Sequence, residues 1–329
     1  MDLYDVNAYS SDEKPRRPKV IRHRVNYFEE WNEWDFFCRF RPSKHTVETI
    51  VDDIQETISY PIQSVAGDFC GVHKSTASKT IKRVSAAIAA LRPRYIFMPS
   101  TPEEIRECRQ KFYNIARFPR CIGAIDCSHV KIQSPDGNDA EIFRNRKQIF
   151  SINVQTVADS DLRIRDIVAR WPGSSHEAHI FRNSHLCTAF ENGRFGDSLL
   201  VGDSGYPIKN YLITPLLQTR NEAENLFNES LIRTTNVVER SYGLWKRRFP
   251  ALALGLRLKV QTTLNVIVAS AVLHNIACDY HEQEPPLNQD QEQAINFINN
   301  IGHNEDVVAP RGPPNFTRLN LINNHFARL

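Results

Sequence analysis

Between Ile122 and Trp171 the chain holds three short runs rich in isoleucine and valine, at Ile122 to Ile125, Ser151 to Val157 and Ile164 to Trp171. The stretches between them contain the turn-forming sequences SPDGND and ADSD, so the runs read as three consecutive strands. Leu199 to Val201 supplies a fourth. Two of these runs end on an acid: Asp126 in CIGAIDCSHVKI and Asp203 in LLVGDSGYP. A parallel or mixed sheet buries its strands and presents ligands at their carboxyl ends, so an acid closing an apolar run is badly placed for packing and well placed for chemistry.

Elsewhere the period is helical. From Asn26 to Leu91 apolar residues recur at three and four, as in Val47, Ile50, Val51 and Ile54 and then Ile81, Val84, Ile88 and Leu91; Pro93 closes this small all-helical unit. Within it lies SVAGDFCGVHKSTASKTIKRV, which has a helix-turn-helix layout. Ala66 and Gly67 allow a close helix crossing and Gly71 a left-handed turn. Ser75 or Thr76 would then face the major groove, with Lys74, Lys79 and Lys82 on phosphates. A solvated lysine face on an ordinary helical hairpin explains the segment equally well. Further on, Val238, Tyr242, Trp245 and Phe249 form a buried helical stripe with a third acid, Glu239, near the start of its helix and at the edge of the stripe. Thr262 to Tyr280 is a second apolar helix, in which His274 and Asn275 read as a satisfied core pair.

At 329 residues the chain is long for one domain. The expected organisation is a basic flexible arm over 1–25, a helical, helix-turn-helix-like DNA-binding region over 26–95, an α/β catalytic domain over 96–280, and an acidic polar tail over 281–329 with a short terminal helix near Leu319 to Phe326. The formal net charge of +3 conceals an uneven distribution. Lys14, Arg16, Arg17, Lys19, Arg22 and Arg24 crowd the arm, which is either an import signal or simply a basic tail, while residues 279 to 306 are acidic. Seven cysteines with no C-x-x-C pair give neither a disulfide framework nor a zinc-finger spacing and fit a reducing compartment. The longest apolar stretch, Leu264 to Ile276, is interrupted by Asn265, Ser270, His274 and Asn275, so no membrane association is expected.

Several carboxylates brought into one cleft repel unless cations compensate, and magnesium, which takes oxygen ligands, is the usual answer. Two such ions can hold the attacking and leaving oxygens of a phosphoryl displacement. Glu177, in WPGSSHEAHIF just after the third run, is a candidate fourth ligand. Arg240, Lys246, Arg247 and Arg248 follow Glu239 and are read as phosphate-binding, against the plainer reading of a solvated helix face. GDSGYP is not a serine-protease motif, since Tyr206 replaces its glycine and no triad partners accompany Ser204. His176, Glu177 and His179 fall one residue short of H-E-x-x-H.

The strand GAIDCSHVKI, the run from FSINVQTVADSD to WPGSSHEAHIF, then LLVGDSGYPIKNYLITP, VVERSYGLWKRRFPAL and AVLHNIA together resemble the PIF/Harbinger family of DDE transposases, most closely its domesticated, transposase-derived nucleases. The likeness runs from about Phe36 to Phe326. It implies an RNase H-like mixed sheet flanked by helices, with Asp126, Asp203 and Glu239 as the catalytic triad and Mg²⁺ or Mn²⁺ as cofactor. The family's loop acid is commonly Asp; here Glu177 is one methylene longer. The resemblance further implies a DNA endonuclease without autonomous transposition, a Myb-like DNA-binding partner, nuclear and cytoplasmic distribution, and possible self-association. A catalytically silent binding protein and an element-encoded transposase are the alternatives.

Overall fold

A computed structural model describes residues 27–54, 74–135, 137, 139–299 and 315–329, and for residues 74–76 the backbone only. The basic arm and the turn of the helix-turn-helix segment lie outside the described residues. The described elements, in order, are α1 (Tyr27–Glu30), α2 (Glu33–Phe40), α3 (Lys44–Ile54), α4 (Lys74–Ala90), α5 (Arg92–Tyr95), α6 (Pro102–Ala116), β1 (Cys121–Lys131), β2 (Ser151–Ala158), β3 (Ile164–Pro172), α7 (Glu177–Arg182), α8 (His185–Glu191), β4 (Leu199–Val201), β5 (Leu212–Ile213), α9 (Glu222–Arg248), α10 (Ala251–Leu254), α11 (Val260–Asp279), α12 (Gln289–Asn299) and α13 (Phe316–Asn324).

The strands form one mixed five-stranded sheet in the order β3-β2-β1-β4-β5. β1, β2 and β3 make an antiparallel meander, and β4 and β5 join parallel to β1 on its other side. Alternation of side chains sends Ile152, Val154 and Ala158 of β2 to one face, under α9 and α11, and Val157 to the other, under α7 and α8. The mixed sheet with helices on both faces matches the α/β expectation. Three strands begin and end close to where the sequence places them.

β1 is the exception. Expected to stop at Ile125, it runs on to Lys131, because Cys127 and Val130 keep burying side chains and β2 pairs with it throughout, from Ala124↔Ala158 to Lys131↔Ser151. Asp126 therefore sits in the middle of a strand. β5, two residues long, carries no pattern of its own and was not expected.

The helix α11 is long and apolar enough to cross a bilayer by those criteria alone, yet most of it is core, packed on β3 and α4. Its buried His274 and Asn275 are hydrogen-bonded. Asn275, fully buried, accepts from Ile164 N at 2.8 Å and donates to Ile164 O at 2.7 Å and Tyr95 O at 2.8 Å, locking α11 to the edge strand and to the N-terminal helices. His274 Nε2 lies 2.9 Å from Leu162 O, and burial holds its pKa down at about 3, which keeps the ring neutral. The core pair expected at His274–Asn275 is thus a hydrogen-bonded one. After α11 the chain returns to the body: Ile295 and Ile298 of α12 are buried with Ala253, and Leu321, Ile322 and Phe326 join the main core.

Asn275→Ala leaves the Ile164 and Tyr95 main-chain groups without their partner, and its expected cost is about 3 kcal/mol in denaturant unfolding. A loss below about 1 kcal/mol would mean that the amide is not holding these elements together.

Candidate active site

Asp126, Glu177 and Asp203 come from three separate elements and meet. Carboxylate oxygens of the three lie within 4.8 Å of one another, with Glu177 buried and the two aspartates half-buried. Each arrives by a local device. β4 pairs with β1 only as far as Val201↔Ala124, and Leu256 meets this edge of β1 again at Lys131, so Asp126 borders the gap between them. Asp203 enters the gap two residues after β4. Gly202 permits this approach, since a Cβ there would stand 3.3 Å from Ile125 O and 3.1 Å from Tyr206 Cδ2. The Asp203 carboxylate also accepts from Gly205 N at 3.1 Å, which fixes the turn that follows.

Glu177 is delivered by the loop after β3. Gly173 lets that loop hug the start of β2: a Cβ there would lie 2.7 Å from Phe143 O and 2.9 Å from Ser151 O. Asn153 Nδ2 then donates to Ser175 O at 2.9 Å. His176 caps α7, its Nδ1 accepting from Ala178 N at 3.2 Å, and Glu177 is the first residue of the helix. The added methylene of Glu177, compared with an aspartate, does not keep it out of the cluster.

Glu239 stands apart from the three, although it faces the same space. It lines a cavity of about 270 Å³ together with Asp126, Ser128, His129, Arg240 and Asn299. It is not near the start of its helix, as the sequence suggested. α9 begins at Glu222, and the polar Thr234 and Thr235, which look like a cap, are buried within it, Thr234 Oγ1 donating back to Ser230 O at 2.7 Å.

The helix is held against the sheet by Tyr242. Its hydroxyl donates to Asp126 O at 2.5 Å and accepts from Thr156 Oγ1 at 3.0 Å. Burial, and after it the charge of Asp126, raises the phenol's pKa and keeps it protonated for this bond.

The basic residues after Glu239 do not share one fate. Arg240 is exposed at the cavity. Lys246 is fully buried, donating to Ser128 Oγ at 2.6 Å and to Asn299 Oδ1 at 2.7 Å. Arg248 is buried against α11 and donates to Glu282 O at 2.9 Å, while Arg247 donates to Pro285 O at 3.0 Å. The phosphate contacts expected of Lys246 and Arg248 are corrected on this ground: both extend the Val238–Tyr242–Trp245 stripe into the core. Lys79 and Lys82 are exposed on α4, and Lys74, Ser75 and Thr76 form its first residues. Sequence reasoning missed Tyr242 as the link to β1, and it missed Asn299, which lies in what reads as a polar tail.

The donor set suits a hard divalent cation. Oxygens around octahedral Mg²⁺, each about 2.1 Å from the ion, lie about 3–4 Å from one another, and three carboxylates within 4.8 Å need little adjustment to meet this. Carboxylate oxygens without thiolate or imidazole among them favour Mg²⁺ or Mn²⁺ over softer metals.

Residues 125–275 match the family described as DDE superfamily endonuclease. The chain is 30% identical over 221 residues to the Rattus norvegicus protein named "Putative nuclease HARBI1" and 29% identical to its Homo sapiens counterpart, each alignment covering 66% of this chain and 63% of the relative. It is 27% identical over 248 residues to "Protein ALP1-like" of Arabidopsis thaliana, covering 70% of this chain and 60% of that one. The chain thus spans less than two thirds of the length of these relatives. No solved structure matches it.

Burial lowers the Lys246 pKa from 10.5 to about 7, against a smaller raising effect of Asp126. Between those values the unfolded chain binds a proton that the folded one has released, so stability contributed by this residue rises with pH from about 7 to about 10. Lys246→Met is expected to flatten that rise in denaturant midpoints measured across the window. Parallel pH profiles for wild type and variant would show that the amine stays charged in the fold.

Proposed function

We propose that this chain, whose residues 125–275 match the DDE superfamily endonuclease family, is a Harbinger-derived, divalent-metal-dependent DNA endonuclease that hydrolyses phosphodiester bonds. The observation that carries this reading is the convergence of Asp126, Glu177 and Asp203 at the end of β4, within the segment that matches the family. The strand order β3-β2-β1-β4-β5, with a three-stranded meander and two parallel additions, supports reading the domain as RNase H-like.

Asp126, Glu177 and Asp203 would hold Mg²⁺ or Mn²⁺, and Glu239, across the cavity from Asp126, would complete the set when DNA is bound. The cation supplies charge neutralisation at the phosphodiester and a water activated for attack. The chain's own contribution is placement. The carboxylates are fixed on a strand, a turn and a helix start, so little reorganisation is needed when the negatively charged substrate arrives. Arg240, exposed beside Glu239, is positioned to draw a phosphate toward the cavity. His129, whose pKa burial lowers to about 4, contributes a neutral imidazole to the wall and not a cation.

The wider reading includes a host-adopted enzyme without autonomous transposition, a Myb-like DNA-binding partner, self-association, and distribution between nucleus and cytoplasm. The basic arm from Lys14 to Arg24 and the exposed Lys79 and Lys82 support contact with nucleic acid.

Purified protein is expected to nick supercoiled plasmid with Mg²⁺ or Mn²⁺ and not in EDTA. Asp203→Asn and Asp126→Asn should each lower the rate by about a hundredfold or more while leaving DNA binding intact. Binding without cutting, in wild type and with either metal, would replace the nuclease by a recruited DNA-binding protein.

A further inference from the structure

β2 is buried along its whole length, yet three successive positions on one of its faces are polar: Ser151, Asn153 and Gln155. Val157, the next position on that face, is apolar and packs beneath α7 and α8. Two of the three polar side chains have evident duties. Ser151 Oγ is hydrogen-bonded to His129 Nδ1 at 3.0 Å, and Asn153 Nδ2 ties down the loop before Glu177. Gln155 differs from them. It is 0% exposed, and neither atom of its amide has a hydrogen-bond partner within the protein. Burying an amide in that condition is unfavourable for each unmet group, a penalty that a leucine or methionine in its place would not carry.

Its surroundings indicate what meets it. Gln155 is directly opposite Cys127, the residue after Asp126. Opposed side chains in an antiparallel pair project together, their Cβ atoms about 5 Å apart. α7, which opens on Glu177, packs against β2. Cys127 Sγ lies 3.4 Å from Tyr206 Oη, three residues after Asp203, and Cys127 itself follows Asp126, so Gln155 stands across the strand pair from a residue that borders the acidic cluster. Carboxylates accept hydrogen bonds, and so does Gln155 Oε1. The group that joins them must therefore donate at least twice, and a water hydrating a divalent cation does so.

We propose that Gln155 is a positioning residue of the acidic site, its amide fixing a water in the hydration shell of the cation held by Asp126, Glu177 and Asp203. The inference rests on the metal reading of that site. Partners of this kind orient the groups around a metal, and their loss typically weakens binding by 10–100-fold.

Full-length wild type, Gln155→Leu and Gln155→Met would be compared in two measurements: thermal unfolding in EDTA, and titration calorimetry with Mn²⁺. Both variants are expected to keep or raise Tm in EDTA, having lost an unmatched buried amide, and to bind Mn²⁺ about tenfold more weakly than wild type. Mn²⁺ affinity equal to that of wild type in both variants overturns the proposal. A lower Tm in EDTA for both, whatever the affinity, makes Gln155 a packing residue and overturns it as well. A wild type that takes up no Mn²⁺ overturns the metal reading itself, and this inference with it, so the two failures are told apart.

Discussion

The hydrogen bond from Tyr242 Oη to Asp126 O sets the relation between the longest helix and the central strand, and the site follows from it. Four residues of an α-helix advance about 6.0 Å and two residues of a strand about 6.6–6.8 Å, so a helix laid along a strand can repeat a contact at that spacing. α9 does this against β1: Tyr242 bonds at Asp126, and Lys246, one turn on, bonds at Ser128. Glu239 lies one turn in the other direction, which brings it to the cavity beside Asp126. Thr156 of β2 joins at the same hydroxyl, so the strand pair and the helix are tied together at the level of the acids.

The sheet supplies the rest by stopping early on one side. β4 pairs with three residues of β1 and then leaves, while β2 follows β1 for its full length on the other side. The gap so made opens beside the mid-strand Asp126. Asp203 and Glu177 enter the gap on backbone held close by Gly202 and Gly173. Converging carboxylates in a partly buried place are unfavourable alone. The proposed cation would offset that repulsion.

The sheet was legible in the sequence because its strands read as Ile/Val runs between turn residues; only β5 was too short to show. Asp126 and Asp203 were legible for the same reason, as acids among apolar neighbours. Local pattern could not give the length of β1, which is set by pairing with β2. It could not give the start of α9 either, because Thr234 and Thr235 resemble a cap and are in fact core. Lys246 and Arg248 were misread since a cationic residue is ordinarily solvated. The period itself places Lys246 on the buried stripe, eight residues after Val238. Asn299 and Gln155 carry no local signal: one acts through a helix far along the chain, the other through a cross-strand neighbour.

The most direct test of the central claim is anomalous diffraction from crystals of the protein grown or soaked with Mn²⁺. A peak ligated by Asp126, Glu177 and Asp203, with Tyr242 still bonded to the Asp126 carbonyl, is the predicted result. A well-ordered site with no metal between these three carboxylates, or a peak ligated elsewhere, would contradict the account.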